Sequence, residues 1–81
     1  MEKPSPSFAK DPILIALGDA IRRTLAAQGI SQEALADLAS IDRSYTGGIE
    51  RGEHNVAVIK LSKIADALEV RPSTLLATTG I

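Results

Sequence analysis

Residues 31–52 read Ser31-Gln32-Glu33-Ala34-Leu35-Ala36-Asp37-Leu38-Ala39-Ser40-Ile41-Asp42-Arg43-Ser44-Tyr45-Thr46-Gly47-Gly48-Ile49-Glu50-Arg51-Gly52, and their spacing decides the fold. Ser31 suits a helix N-cap, and Glu33 suits a first turn, where the helix dipole favours an anion. Ala34, Leu35, Leu38 and Ala39 supply a short apolar face, which predicts a helix over 32–39. Ser40-Ile41-Asp42 breaks that pattern after two turns. Asp42 is a second N-cap residue, opening a helix over 43–51 that carries Tyr45 and Ile49 at i and i+4 and stops at Gly52. Ala36 is small enough to let the two helices approach closely where they cross. Leu35, Ile41, Tyr45 and Ile49 then face a core, while Arg43, Ser44, Gly47 and Gly48 face outward.

Upstream, Asp11-Pro12 joins a good N-cap to the residue favoured at the first helical position. Leu14, Leu17, Ile21 and Leu25 recur at helical spacing, with Asp19, Arg22, Arg23 and Gln28 on the other faces. Gly29 can take the left-handed conformation that ends a helix, so the first helix is expected over 12–28. Downstream, a helix over 57–68 carries Val58, Leu61, Ile64, Ala65 and Leu68 on one face and Lys60, Lys63 and Asp66 opposite. Val70-Arg71-Pro72 interrupts it, and Pro72 starts a last short helix reaching Thr78. Residues 1–10 are rich in Pro, Ser and charge and offer only Phe8 for burial. They are expected to form a disordered tail, because so little apolar surface does not offset the entropy of ordering. Residues 11–81 make the folded domain, and the expected architecture is all-α, five short helices with tight connections.

Composition narrows the function. At 81 residues the chain holds one domain, and its 44% hydrophobic content is mostly Ala, Leu and Ile, with one Tyr and one Phe. The absence of cysteine excludes a disulfide scaffold, a thiolate metal site and a thiol nucleophile. His54 is the single histidine, so an imidazole metal or catalytic site has no partners, and no nucleophile–base pair or phosphate-cradling loop is present. Neither an enzyme nor a bound cofactor is implied. The first ten residues lack the apolar stretch of a signal peptide, and the longest nearly uncharged apolar run, 12–17, is far short of a membrane span. A cytoplasmic location is the expectation. Nine Lys and Arg against ten Asp and Glu give a net charge of −1, so affinity for a polyanion must rest on where the cations sit. Between Arg43 and Lys63 four cations face two carboxylates, a local excess of +2.

Two short helices, a tight turn and a small residue at the crossing describe a helix-turn-helix. The second helix of such a unit fits the major groove, about 12 Å wide, with its first residues at the base edges. Here the chain resembles the Cro/CI-type (XRE-type, lambda-repressor-like) helix-turn-helix family from about Leu17 to Leu76. The resemblance is carried by Ser31-Gln32-Glu33-Ala34-Leu35-Ala36 and Ile49-Glu50-Arg51-Gly52-Glu53. Arg43-Ser44-Tyr45 with Glu50-Arg51-Gly52-Glu53-His54-Asn55 looks most like the controller proteins of restriction–modification systems. The resemblance implies a sequence-specific, double-stranded-DNA-binding transcriptional regulator. Arg43 and Ser44 would read bases, with Gly47 one turn further along. Arginine suits this role because its fork meets guanine O6 and N7 together, worth about 1–3 kcal/mol of discrimination. Gln32, Arg51, His54 and Asn55 would hold phosphates, and Tyr45 would either join them or pack inward with its hydroxyl reaching out.

Three positions depart from the family pattern. Ser40 stands where the turn usually has Gly, and Thr46 replaces a common aliphatic residue. Leu25 takes the place of an Arg that pairs, in many relatives, with the residue matching Glu50, so Arg22 or Arg23 would have to substitute. Gly47-Gly48 costs roughly 1 kcal/mol per glycine in a helix interior, and either admits close approach to DNA or weakens the helix.

A single small unit covers little DNA, so a homodimer on a palindromic operator is expected. Val58, Ile59, Val70, Leu75, Leu76 and Ile81 exceed the needs of a small core and are the candidate dimer surface. An activator of this kind would also touch RNA polymerase. The competing reading is an antitoxin-type protein-interaction module, with the Phe8 tail or the C-terminal apolar residues ordering on a protein partner.

Overall fold

A computed structural model describes residues 10–80. Five α-helices follow one another among these residues, with no strand: α1 Pro12–Gln28, α2 Gln32–Ala39, α3 Arg43–Glu50, α4 Val58–Ala67 and α5 Pro72–Leu76. A 3₁₀ turn, Ala77–Thr79, extends the last helix. The expectations for residues 1–9 and Ile81 lie outside the described residues. Lys10, placed in the tail by the sequence, is held: its backbone N–H donates to the Gly52 carbonyl at 2.7 Å and its ammonium to the Arg51 carbonyl at 2.8 Å.

Side chains cap the first three helices. Asp11 accepts from the Ile13 N–H, Ser31 from Ala34, and Asp42 from Ser44 and Tyr45, which satisfies donors that a helix start leaves open. The first four helices also end alike. A left-handed residue (Gly29, Ser40, Gly52 or Glu69) is followed by an N–H that reaches back to a carbonyl five residues earlier. Only two of these four left-handed positions are glycine. Helix α3 stops at Glu50, with Arg51 as its cap, because the chain must turn at Gly52.

The core sits where α1, α3, α4 and α5 converge under α2. Ile21, Leu35, Ile49, Ile64, Leu68 and Leu75 are its almost fully enclosed members, flanked by Leu17, Leu25, Ala39, Leu61 and Ala65. Each large aliphatic buried in this way contributes about 1.5–3 kcal/mol. At the α1–α3 crossing, a Cβ on Gly18 would strike the backbone carbonyls of Ile49 and Glu50. Gln28 then ties the far end of α1 to α4, its amide donating to the Leu68 carbonyl at 2.7 Å.

Four expectations from the sequence need correction. Leu75 is 1% exposed and belongs to the core, so it is unavailable to a dimer surface. Val58 starts α4 pointing to solvent rather than lying on its core face, because α4 begins only at that residue and its buried stripe starts at Leu61. Leu38 is likewise exposed. Gly47 and Gly48 are buried, not outward-facing, because side chains from neighbouring segments fold over them.

Candidate nucleic-acid interface

Helix α3 owes its rigid start to Asp42. One carboxylate oxygen accepts from the Ser44 N–H at 2.7 Å and the Tyr45 N–H at 3.4 Å. Thr46, enclosed where an aliphatic residue is usual, donates its hydroxyl proton to the Asp42 carbonyl at 3.1 Å and so buries no unpaired group. This local bonding leaves Arg43 and Ser44 exposed on the first turn. The Arg43 guanidinium lies 3.9 Å from Glu33, which stands on the first turn of α2, and both side chains are mostly in solvent. The starts of the two helices therefore share one face.

Gly47 is the floor of that face rather than a reading position. The space its Cβ would occupy lies 3.1 Å from Arg51 Nη1 and 3.4 Å from Gln32 Oε1, so these two side chains converge over it. Arg51 also turns the other edge of its guanidinium to Glu53, with Nε to Oε2 and Nη2 to Oε1 both at 3.1 Å. These bonds hold the Glu53 carboxyl below the usual carboxylate range. Lys10 adds a weaker contact, its ammonium 3.8 Å from the same carboxylate.

His54 departs furthest from its expected role. It is 4% exposed, stacks on Tyr45 at 4.6 Å between ring centroids, and fills the space where Gly48 has no Cβ. It is a packing wedge, and its ring is too enclosed to meet a phosphate. Tyr45 is half-buried against the core and carries Lys60 Nζ 4.8 Å from its ring centroid, a cation–π contact at the edge of the face. Asn55 is exposed and sits beside Asp11, Ile13 and Leu14. The structure thus gathers Gln32, Arg43, Ser44 and Arg51 on one side, while Gly47 and His54 lie beneath the surface.

Glu50 has no ion-pair partner on α1. Arg22 and Arg23 both turn to Asp19, at 2.6 and 3.0 Å, and Leu25 is packed in the core. Burial pushes the Glu50 carboxyl above its usual pKa, against a hydrogen bond from Gln32 and the charges of Arg22 and Arg51. Its Oε2 has no hydrogen-bond donor. Sequence reasoning missed three features here. They are the close-packing role of Gly18, the anchoring of Lys10 and the Arg51–Glu53 pair. An isolated glycine inside a strong helical pattern was the available signal for the first; the Lys10 contact joins distant segments and had none, and the Arg51–Glu53 pair, two residues apart, depends on the turn at Gly52 between them.

The fold and this face together define a helix-turn-helix protein. Residues 21–75 match the helix-turn-helix family, and the chain belongs to it. Over 70 residues it is 39% identical to the control protein C.BamHI of Bacillus amyloliquefaciens, spanning 85% of this chain and 86% of that one. The crystal structure of the restriction–modification controller protein C.AhdI from Aeromonas hydrophila is similar with a TM-score of 0.75 and 45% identity, covering 76% of this chain and 94% of that chain. The clp gene regulator ClgR from Corynebacterium glutamicum gives a TM-score of 0.80 at 26% identity, covering 84% and 72% respectively. Among the described residues no helix is long and apolar enough to cross a membrane.

Proposed function

We propose that the protein is a homodimeric regulator of transcription that binds a palindromic DNA operator, acting as a restriction–modification controller. The observation that carries this reading is the capped first turn of α3, which presents Arg43 and Ser44 to solvent beside the exposed first turn of α2. A helix presented in this way delivers its first residues to base edges in the major groove. Gln32 and Arg51 flank it as phosphate contacts, with the exposed Asn55 of the following loop as a further one, and such contacts fix register without reading sequence. The relatives support the choice of regulator, since C.BamHI is a control protein and C.AhdI a restriction–modification controller. Val58 and Ile59, at 81% and 71% exposed on α4, supply the apolar surface for a second copy, and Val70 and Leu76, half-buried against the core, are further candidates for it.

The test is Arg43→Ala, assayed on a duplex that the wild-type protein selects from a random library. Loss of a bidentate arginine–guanine contact costs about 1–3 kcal/mol and relaxes preference at one base pair. Binding to random duplex should barely change. If operator and random affinities are both those of wild type, α3 does not read bases through Arg43.

A further inference from the structure

Arg51 is placed to hold a phosphate, yet the edge of its guanidinium that forms paired contacts is already occupied. Both Nε and Nη2 donate to the two oxygens of Glu53 at 3.1 Å, the fork geometry by which arginine also grips a phosphate. The remaining terminal nitrogen, Nη1, lies over Gly47. Glu53 is well seated for this role. Its side chain is 22% exposed against 57% for Arg51, and its carboxylate is also approached by the Lys10 ammonium at 3.8 Å. The contrast with Arg43 is informative, because Arg43 and Glu33 touch at 3.9 Å through a single nitrogen and both are about 70% exposed.

We propose that Glu53 is an internal stand-in for a DNA phosphate on Arg51, and that it thereby sets the level of sequence-independent DNA binding. This rests on the DNA-binding reading above. A phosphate reaching Arg51 exchanges one anion for another, so the contact adds little net affinity. It also releases no counterion, since the arginine is already neutralised and the phosphate gains no uncompensated charge. The base-reading residue is left loosely paired while the phosphate-holding residue is restrained. Discrimination therefore falls on Arg43 and Ser44, and binding to random sequence stays low.

The experiment compares wild type, Glu53→Gln, Arg51→Gln and the double variant on a fluorescent random-sequence duplex. Affinity is measured by anisotropy between about 50 and 200 mM salt, where phosphate contacts govern binding. Glu53→Gln should bind about 3- to 10-fold more tightly, as expected when a surface ion pair is released toward an anion. Its plot of log affinity against log salt should steepen by about 0.9, one further phosphate neutralised. Both effects should vanish when Arg51 is already Gln. A gain that persists in the Arg51→Gln background reflects only the change in net charge and overturns the proposal, as does no gain at all. Glu53→Ser, with circular dichroism on every variant, separates a folding defect from a binding effect and must show the same gain. Should the wild-type protein bind neither random nor selected duplex at low salt, the DNA-binding reading itself fails and this proposal with it.

Discussion

Glu50 carries a buried charge that its surroundings do not fully compensate. Its side chain sits at the end of α3 in a residue only 7% exposed, and Oε2 finds no donor. Burial is the dominant influence, and it raises the carboxyl above its ordinary value of 4.5 even though Gln32, Arg22 and Arg51 act to lower it. A carboxyl whose folded-state pKa exceeds its unfolded value binds its proton more tightly when folded. The resulting stabilisation is complete below the unfolded value and is lost as pH rises through the raised folded value. Above that raised value the ionised group therefore costs stability. Glu50→Gln keeps the shape and an amide able to meet Gln32 while removing the charge. It should melt a few degrees higher than wild type at pH 7, and the gap should close as pH falls toward 4.5. Thermal denaturation followed by circular dichroism across that range is the measurement, and a gap independent of pH would assign the effect to something other than ionisation.

At the scale of helices, contact between α1 and α3 depends on a missing side chain. A Cβ at Gly18 would meet two backbone carbonyls of α3, and backbone at a helix crossing has no rotamer by which to yield. Gly18→Ala is expected to destabilise the fold by about 2–3 kcal/mol despite alanine's better helix propensity, the cost of overpacking exceeding the gain of about 1 kcal/mol. Urea unfolding would show the sign, and a stabilised variant would mean that the two helices separate easily. The helices themselves were legible because caps and apolar spacing are local: Asp11, Ser31 and Asp42 each bond to a backbone N–H within three residues. What sequence could not supply was contact between distant segments. Gly47 and Gly48 read as outward from the period of α3 alone, but Arg51, Gln32 and His54 fold over them from the loop and from α2. Glu69 likewise adopts a left-handed conformation at φ 57° that no glycine marked, because closing α4 onto Val70 requires it. The exposure of Arg43 and Ser44 beside a cap was therefore readable, whereas the arrangement of the loop around Arg51 and Glu53 was not.

At the scale of the whole molecule, half of the eight described cations are held by two carboxylates. Asp19 holds Arg22 and Arg23, and Glu53 holds Lys10 and Arg51, which agrees with a chain whose net charge is −1. A unit built in this way gains little from bulk electrostatic attraction, which favours the proposed pairing of two units on one operator. The proposed surface to join them is the first turn of α4, where Val58 and Ile59 are the most exposed large apolar side chains described. That turn carries no acidic residue, and a helix start favours one. Ile59→Glu should accordingly leave the helix intact or slightly firmer while setting like charges against each other across a two-fold interface. The expected result is a monomer by sedimentation at concentrations where wild type is a dimer. Its melting temperature should be within a few degrees of that of the dissociated wild type. Operator affinity should fall on the order of 100-fold, because each half-site is then bound without its tethered neighbour. Leu75→Glu provides the contrast: at 1% exposure it lies in the core, and its substitution should unfold the domain rather than divide it. A wild-type protein that sediments as a monomer both free and on its operator would remove α4 as a dimer surface and leave Arg43 and Ser44 to select a site alone.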